Sequence, residues 1–271
     1  MTVPFAAVTG WPAAHSLSPL MMATWLKAAG VDGRYAILEI PPERFAAFAR
    51  TMPALGLSGV NVTLPHKETA LALADTASPA AAGAGAANRL TVTQDGLHAH
   101  NTDVDGVAAA LADDEGTGPV VLIGAGGAAR AALHHVRGQD REIRIVNRTL
   151  SRAEALAEAL DVQATLTNDL NAALSGAALI INATSLGMAG KGEITADWSA
   201  CASGALAFDM VYTPLQTGFL KAAGAAGLRT VDGLTMLIGQ ARPSFEAFYG
   251  APAPDDDIVR PVLEARLGAA P

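Results

Sequence analysis

The chain has 271 residues, of which 51% are hydrophobic and 16% are charged, and its formal net charge is -8 at pH 7. This composition excludes a disordered chain, and the length suffices for two small domains or one large one. The acidic balance argues against nucleic acid or an anionic membrane as a partner, because their phosphates require a basic face.

A single cysteine, Cys201, excludes an intramolecular disulfide and any cysteine-pair redox or zinc motif. No apolar run approaches the roughly 20 residues that a membrane-spanning helix needs. The first residues lack the basic and apolar stretches of a secretion signal. The sequence therefore predicts a cytoplasmic protein without a membrane partner.

Short strands and amphipathic helices alternate in the first third of the chain. The pattern predicts strands over residues 4–8, 35–40, 59–63 and 89–93, and helices over 43–52 and 67–74. A further helix is predicted from Ser18 to Ala29, with Ser18 as its N-cap, Pro19 as its first residue and Gly30 as its stop signal. The alanine-rich segment 77–87 resembles a linker, but strands continue beyond it, so we include it in this domain.

After Pro119 the pattern changes to repeated strand–helix units. Strands are predicted over residues 120–123, 143–146, 178–182, 205–209 and 228–231, and their continuous apolar character indicates a parallel sheet covered on both faces. The fold class is therefore α/β. We predict an α/β substrate domain over 1–102, a Rossmann-type parallel-sheet domain over 103–235, and C-terminal helices over 236–271 that pack back on the first domain.

A glycine-rich turn joins the first strand of the second domain to a helix. Gly124, Gly126 and Ala129 form a G-x-G-x-x-A pattern in the segment Gly124-Ala125-Gly126-Gly127-Ala128-Ala129. The first glycine permits the tight turn, the second allows the backbone to approach a pyrophosphate, and the small Ala129 allows close packing of helix on strand. The helix N-terminus supplies free N–H groups to phosphates. The alternative is a glycine turn that serves packing alone.

The second strand of this domain distinguishes NADP from NAD. NAD-binding domains end that strand with an acidic residue that bonds the ribose 2′-hydroxyl. Here the strand is followed by Asn147, Arg148 and Thr149, with Arg152 one turn later. A guanidinium and a hydroxyl suit the oxygens of a 2′-phosphate, so we predict NADP(H) as the cofactor.

Further polar segments occur in a definite order along the chain. They are Ser16-Leu-Ser18-Pro, Asn61-Val-Thr63-Leu-Pro-His-Lys67, Ala87-Asn88, Asn101-Thr-Asp103-Val-Asp-Gly, Asn182-Ala-Thr184-Ser185-Leu-Gly-Met, Asp209-Met210-Val-Tyr212-Thr-Pro and Met236-Leu-Ile-Gly-Gln240. In order and approximate spacing these segments closely resemble the shikimate dehydrogenase family, over nearly the whole chain.

The resemblance implies reversible, NADP-linked reduction of 3-dehydroshikimate to shikimate, a step of chorismate and aromatic amino acid biosynthesis, in a cleft between two α/β domains. It implies that Lys67 and Asp103 are the catalytic pair. It implies that the substrate is held by Ser16, Ser18, Asn61, Thr63, Asn88, Tyr212 and Gln240. It also puts Thr184, Ser185, Met210 and Gly233 along the path of the cofactor, and it gives no metal site.

Three positions depart from the family pattern: Arg89 stands where threonine is usual, and Pro79 and Thr235 also differ. Because neighbours in an extended segment face opposite ways, we expect Arg89 to point away from the ligand. Quinate or aminoshikimate dehydrogenase remains an alternative, as does a non-catalytic NADP-binding paralogue. The sequence leaves open whether the chain is a monomer or a homodimer.

Overall fold

A computed structural model describes residues 3–268 of the chain. It divides into two compact units, the first formed by residues up to Asp105 together with those from Gln240 onward, and the second by Gly106–Gly239. Compared with the predicted boundaries at 102/103 and 235/236, this division puts Asp103 in the first unit, together with Lys67. Residues 1–2 and 269–271 of the predicted ranges lie outside the described residues.

The first unit contains a mixed six-stranded sheet in the order β2-β1-β3-β5-β6-β4. Its strands are β1 (Phe5–Gly10), β2 (Arg34–Glu39), β3 (Leu57–Val62), β4 (Thr76–Ala77), β5 (Arg89–Thr93) and β6 (Gly96–His100). Its helices are α1 (Ser18–Ala29), α2 (Pro42–Thr51), α3 (Lys67–Leu73), α4 (Pro79–Ala84) and α11 (Asp256–Gly268). Helices α5 (Asp103–Ala110) and α10 (Gly233–Tyr249) each contain one of the two unit boundaries.

Alternating residues of this sheet face two layers of helices. One face contributes Val60 and Leu90 to a core shared with Phe45 of α2 and with buried residues of α3 and α4. On the other face a Cβ added to Gly59 would meet Phe248 of α10. On that side Trp25 of α1 packs edge-on against the Phe245 ring, also in α10, at a centroid distance of 5.7 Å.

The second unit is an all-parallel sheet in the order β12-β11-β10-β7-β8-β9. Its strands are β7 (Val120–Ile123), β8 (Ile143–Val146), β9 (Thr165–Thr167), β10 (Leu179–Asn182), β11 (Leu206–Asp209) and β12 (Arg229–Val231). Helices α6 (Gly127–Val136), α7 (Leu150–Ala159), α8 (Leu170–Ala173) and α9 (Gly218–Ala225) connect them. This strand order is that of the Rossmann fold, in which ligands bind where the order reverses, here between β7 and β10.

Local signals predicted several element boundaries correctly, and one was wrong. Helix α1 ends at Gly30, whose φ of 64° is the left-handed conformation that a glycine stop favours. Its N-cap, however, is Leu17, and Ser18 is the first helical residue rather than the cap. The alanine-rich segment 77–87, which we included in the first domain and did not treat as a linker, contains α4, and the side chain of Ser78 accepts a hydrogen bond from the N–H of Ala81. Strands β4, β6 and β9 were not predicted.

Among residues 3–268, no helix combines the length and the apolar character that a bilayer crossing requires.

The close approach of α10 to the sheet at Gly59 predicts a large effect of one added methyl group. A Cβ at this position would lie 2.5 Å from the Leu90 carbonyl oxygen and 2.5 Å from Phe248 Cε1. We expect Gly59→Ala to lower the free energy of unfolding by about 1–3 kcal/mol, because a packed interface must shift. Urea denaturation measures this. Gly268→Ala in the same unit is the control, since its added Cβ meets nothing within 4 Å; equal stability of the two variants would contradict the packing argument.

Candidate active site

Lys67 and Asp103 form an ion pair in the first unit. The Lys67 Nζ atom lies 2.5 Å from Asp103 Oδ2, and the two side chains are 23% and 11% exposed, respectively. Each residue is the first of its helix, Lys67 in α3 and Asp103 in α5. An amine and a carboxylate in partial isolation from water are able to exchange and orient a proton.

The buried amide of Asn88 connects this pair to α10. Its Nδ2 donates to Asp103 Oδ1 at 2.8 Å and to Gln240 Oε1 at 3.0 Å, and its Oδ1 accepts from the Thr102 backbone N–H at 2.7 Å. Both oxygens of Asp103 therefore accept hydrogen bonds, one from Lys67 and one from Asn88. This arrangement fixes the plane of the carboxylate.

Neighbouring residues hold in place the N-termini of α3 and α5, which carry Lys67 and Asp103. The Asn101 side chain accepts from the Asp103 backbone N–H at 3.1 Å and donates to the Ala86 carbonyl at 2.9 Å. Beside Lys67, the imidazole of His66 stacks on the Phe45 ring at 4.3 Å, and its Nε2 lies 2.7 Å from the Ile40 carbonyl oxygen. These contacts leave the backbone at both catalytic candidates little freedom.

A second polar group on the other face of the sheet contains Asn61. The Tyr35 hydroxyl donates to Asn61 Oδ1 at 2.7 Å, and Asn61 Nδ2 donates to Ser244 Oγ at 2.8 Å. Burial raises the pKa of Tyr35 well above its usual value, the charge of Tyr249 raises it further, and a hydrogen bond with Ser18 opposes the shift. Tyr35 therefore stays a protonated donor that orients Asn61.

The loop between β1 and α1 carries Ser16 and is held by Glu39 at the end of β2. Glu39 Oε1 accepts from the backbone N–H groups of Ala13 and Ala14 at 2.7 and 3.0 Å. Ser16 Oγ accepts from the backbone N–H of Ser18, the first residue of α1, at 3.2 Å. The two serines consequently lie together at the N-terminus of α1.

Thr63 follows β3 and is fixed through its backbone. Its N–H donates to the Thr9 carbonyl at 2.9 Å, and its own carbonyl accepts from the His66 N–H at 3.0 Å. The Thr63 methyl group packs so closely on Gly10 that a Cβ there would collide with it.

The second unit contains a cavity of about 1090 Å³ at the reversal of strand order between β7 and β10. Of the predicted cofactor residues, those that line it are Gly124, Ala125, Gly126, Asn147, Arg148, Arg152, Thr184 and Ser185. Gly126 is the N-cap of α6 without a side-chain hydrogen bond, and a Cβ at Gly126 or Gly127 would meet nothing within 4 Å. Open space, free N–H groups and two arginines fit a dinucleotide with an additional phosphate.

Five other predicted cofactor residues are absent from the lining of this cavity: Gly127, Ala128, Thr149, Met210 and Gly233. Thr149 is the N-cap of α7, and Gly233 packs so tightly that a Cβ would lie 2.5 Å from the Met210 carbonyl oxygen. The lining also includes residues that the sequence did not indicate, among them Asn168, Lys191, Glu193 and Thr195.

Asp209 orders the loops that follow β10 and β11. Its carboxylate accepts from Asn182 Nδ2 at 2.8 Å, from the Val211 N–H at 3.0 Å and from the Thr217 hydroxyl at 2.6 Å. Asn182 Oδ1 in turn accepts from the Thr184 hydroxyl at 2.7 Å. Burial raises the pKa of Asp209, and these hydrogen bonds oppose the shift.

Tyr212 lies in the second unit, where burial raises the pKa of its hydroxyl. Its substrate role stays a prediction.

The sequence missed Tyr35, Glu39 and Ser244. Only Ser244 had a local signal, because it lies four residues after Gln240 and therefore on the same helix face. Within residues 3–268, no group of three or more histidine, cysteine or acidic side chains is arranged to hold a metal ion.

Arg89 is the first residue of β5, and its side chain is directed to α10. The strand register pairs Arg89 directly with Asn61, and directly opposed residues of an antiparallel pair share a face. Its Nη1 donates to the Pro243 carbonyl at 2.6 Å. The expectation that Arg89 points away from the ligand stays a prediction.

Comparisons with known proteins match both units of the chain. The profile of the shikimate dehydrogenase substrate binding domain matches residues 8–90, and that of shikimate / quinate 5-dehydrogenase matches residues 107–193. The NADP(+) shikimate dehydrogenase of Maricaulis maris is 47% identical over 97% of this chain and 96% of its own, and that of Paracoccus denitrificans is 44% identical over 96% of each. The Thermus thermophilus shikimate 5-dehydrogenase structure in complex with NADP(H) and shikimate has a TM-score of 0.88 at 35% identity, covering 98% of this chain and 100% of that one.

The position of Arg148 in the cavity predicts a cofactor-selective effect. We expect Arg148→Ala to raise the dissociation constant of NADP(H) by about tenfold or more and that of NAD(H) only slightly. The reason is that a guanidinium here suits the 2′-phosphate, which NAD lacks. Fluorescence titration with both reduced cofactors measures the two dissociation constants. Arg266→Ala, at an exposed position in α11, is the control. Equal weakening of both cofactors would refute this role for Arg148.

Proposed function

The chain belongs to the shikimate dehydrogenase family, and we propose that it catalyses the reversible, NADP-dependent reduction of 3-dehydroshikimate to shikimate. The observation that carries this proposal is the Lys67–Asp103 pair, which is partly shielded from water and joined through Asn88 to Gln240. A cofactor-binding sensor has no need of such a pair, whereas an oxidoreductase that forms a hydroxyl group must move a proton.

The bound cofactor supplies or accepts the hydride at the ring carbon. Lys67 exchanges the proton at the oxygen on that carbon, because its ammonium has three N–H groups and only one is directed to Asp103. Asp103 orients the lysine, and its negative charge stabilises the ammonium form of Lys67.

Substrate recognition is assigned to polar side chains of the first unit and to Tyr212. We propose that the N-terminus of α1, with Ser16 and Ser18, receives the substrate carboxylate, because a helix N-terminus and hydroxyl donors favour an anion. The ring hydroxyls are assigned to Asn61, Thr63, Asn88, Tyr212 and Gln240. The hydrogen bonds that orient Asn61 and Asn88 support their roles.

The cofactor is assigned to the second unit. The turn Gly124–Gly127 and the N-terminus of α6 suit the pyrophosphate, and Arg148, Thr149 and Arg152 suit the 2′-phosphate. We assign Thr184, Ser185, Met210 and Gly233 to the remaining length of the cofactor. Thr184 supports this assignment through its hydrogen bond to Asn182, which fixes the loop after β10.

We further propose that the enzyme acts in the cytoplasm, as a monomer or a homodimer. The lone, half-buried thiol of Cys201 suits a reducing compartment.

Removal of the Lys67 amine should lower the rate of the chemical step and leave cofactor binding unchanged. We expect Lys67→Ala to lower kcat for shikimate oxidation by about 10²–10⁴-fold, since general acid–base catalysis is lost, while the dissociation constant of NADPH stays unchanged. Steady-state absorbance of NADPH measures the rate, and fluorescence titration measures cofactor binding. Lys27→Ala, at an exposed position in α1, is the control and should behave as wild type.

The same assay with 3-dehydroquinate distinguishes the substrate alternative. Turnover of 3-dehydroshikimate by wild type, with little turnover of 3-dehydroquinate, is the expected result. NADPH binding without turnover of either compound would refute the proposed reaction, and an undiminished rate for Lys67→Ala would refute the assigned role.

A further inference from the structure

Three hydrogen bonds connect adjacent sheet positions to one face of α10. Asn88 donates to Gln240, Arg89 to the Pro243 carbonyl, and Asn61 to Ser244, at 3.0, 2.6 and 2.8 Å. Residues 240, 243 and 244 are spaced i, i+3 and i+4, which aligns them on one side of the helix. Arg89 lies in the middle of this set: it follows Asn88 in the chain and pairs with Asn61 in the sheet register.

Pro243 makes α10 locally weak at this point. A proline inside a helix has no N–H for the carbonyl four residues earlier, and its ring pushes against that turn, which kinks or breaks an unsupported helix. The direction of the following turn, which carries Ser244, therefore depends on contacts from outside the helix. Arg89 supplies such a contact at the proline itself.

Arg89 is built into the interior rather than lying on the surface. It is 9% exposed, and burial lowers the pKa of its guanidinium, while the charges of Asp105 and Glu246 oppose that shift. The Arg89 bond to a carbonyl at 2.6 Å is charge-assisted, and such bonds are about twice as strong as neutral ones. A buried cation with this single directed bond strongly resists displacement of its acceptor.

We propose that Arg89 is a positioning residue for substrate binding. Its hydrogen bond holds the α10 turn at Pro243 against β5, and this contact determines where the side chains of Gln240 and Ser244 lie. This inference rests on the proposed function, because it takes Gln240 and Asn61 as substrate contacts. Arg89 acts through them and touches neither substrate nor cofactor.

Loss of the Arg89 guanidinium should weaken substrate binding more than cofactor binding. We expect Arg89→Met to raise KM for shikimate about tenfold, with a smaller fall in kcat and an unchanged KM for NADP+, because misplaced contacts weaken substrate binding. Arg89→Lys should recover most of the loss, since its ammonium can also donate to a carbonyl. Arg50→Met, at an exposed position in α2, is the matched control and should leave both KM values unchanged.

A double-variant cycle separates positioning from other roles. If Arg89 acts through Gln240, then Arg89→Met combined with Gln240→Ala should raise KM for shikimate by much less than the product of the two single effects. Multiplicative effects would overturn the proposal, because they would indicate direct contact with substrate or an independent structural role. A KM for Arg89→Met within twofold of wild type would also overturn it.

Thermal unfolding of each variant checks that it is folded at the assay temperature, so that the KM values compared are those of folded enzymes. Should Arg89→Met not fold, Arg89→Gln carries the same test, because its shorter neutral side chain cannot reproduce the charge-assisted bond. A wild-type enzyme that does not oxidise shikimate would refute the proposed function and this inference together. Wild-type turnover with multiplicative effects would refute only the role of Arg89.

Discussion

The side-chain amide of Asn88 is the contact on which the first unit's site depends. It is buried, so each of its polar atoms needs a partner, and those partners come from the start of α5 and from α10. The amide cannot move without leaving buried polar groups unsatisfied, at a cost of about 1–3 kcal/mol for each group. The orientation of Asp103, and through it that of Lys67, follows from this requirement.

The second unit meets a different constraint, which comes from sheet topology. All its strand pairs are parallel, and the strand order reverses between β7 and β10, so the loops after these strands diverge and leave a cavity. Glycine at position 124, with a φ of 111°, lets the first loop pass close to Thr184 of the second. Asp209 then stabilises the loops after β10 and β11 through one buried carboxylate. The cavity therefore depends on the path of the backbone more than on any single side chain.

Elements that local residues determine could be predicted from the sequence. Elements that form only by pairing with distant segments of the chain could not. The end of helix α1 and both bounds of strand β5 were predicted correctly, because a glycine stop marks the first and alternating apolar residues mark the second. Strand β6, with histidines at positions 98 and 100, lacks that pattern and forms because it pairs with β5. Likewise the catalytic candidates were found from residue motifs, whereas Asn61 and Ser244 are 183 positions apart and only the folded chain brings them together. Ser18 was predicted as the N-cap of α1 because serine suits that role, but it is the first helical residue, and its backbone N–H donates to Ser16 Oγ.

Glu39 has a consequence for the thermodynamics of ligand binding. By accepting two consecutive backbone N–H groups, Glu39 orders the loop that carries Ser16 through contacts within the protein. Fixing one residue's backbone costs about 1–2 kcal/mol of conformational entropy, and here folding has already met that cost. An anion that arrives at α1 therefore encounters preorganised donors, and more of its interaction energy remains as affinity. For a substrate carboxylate bound at Ser16 and Ser18 as proposed, Glu39 thus lowers the entropic cost of binding.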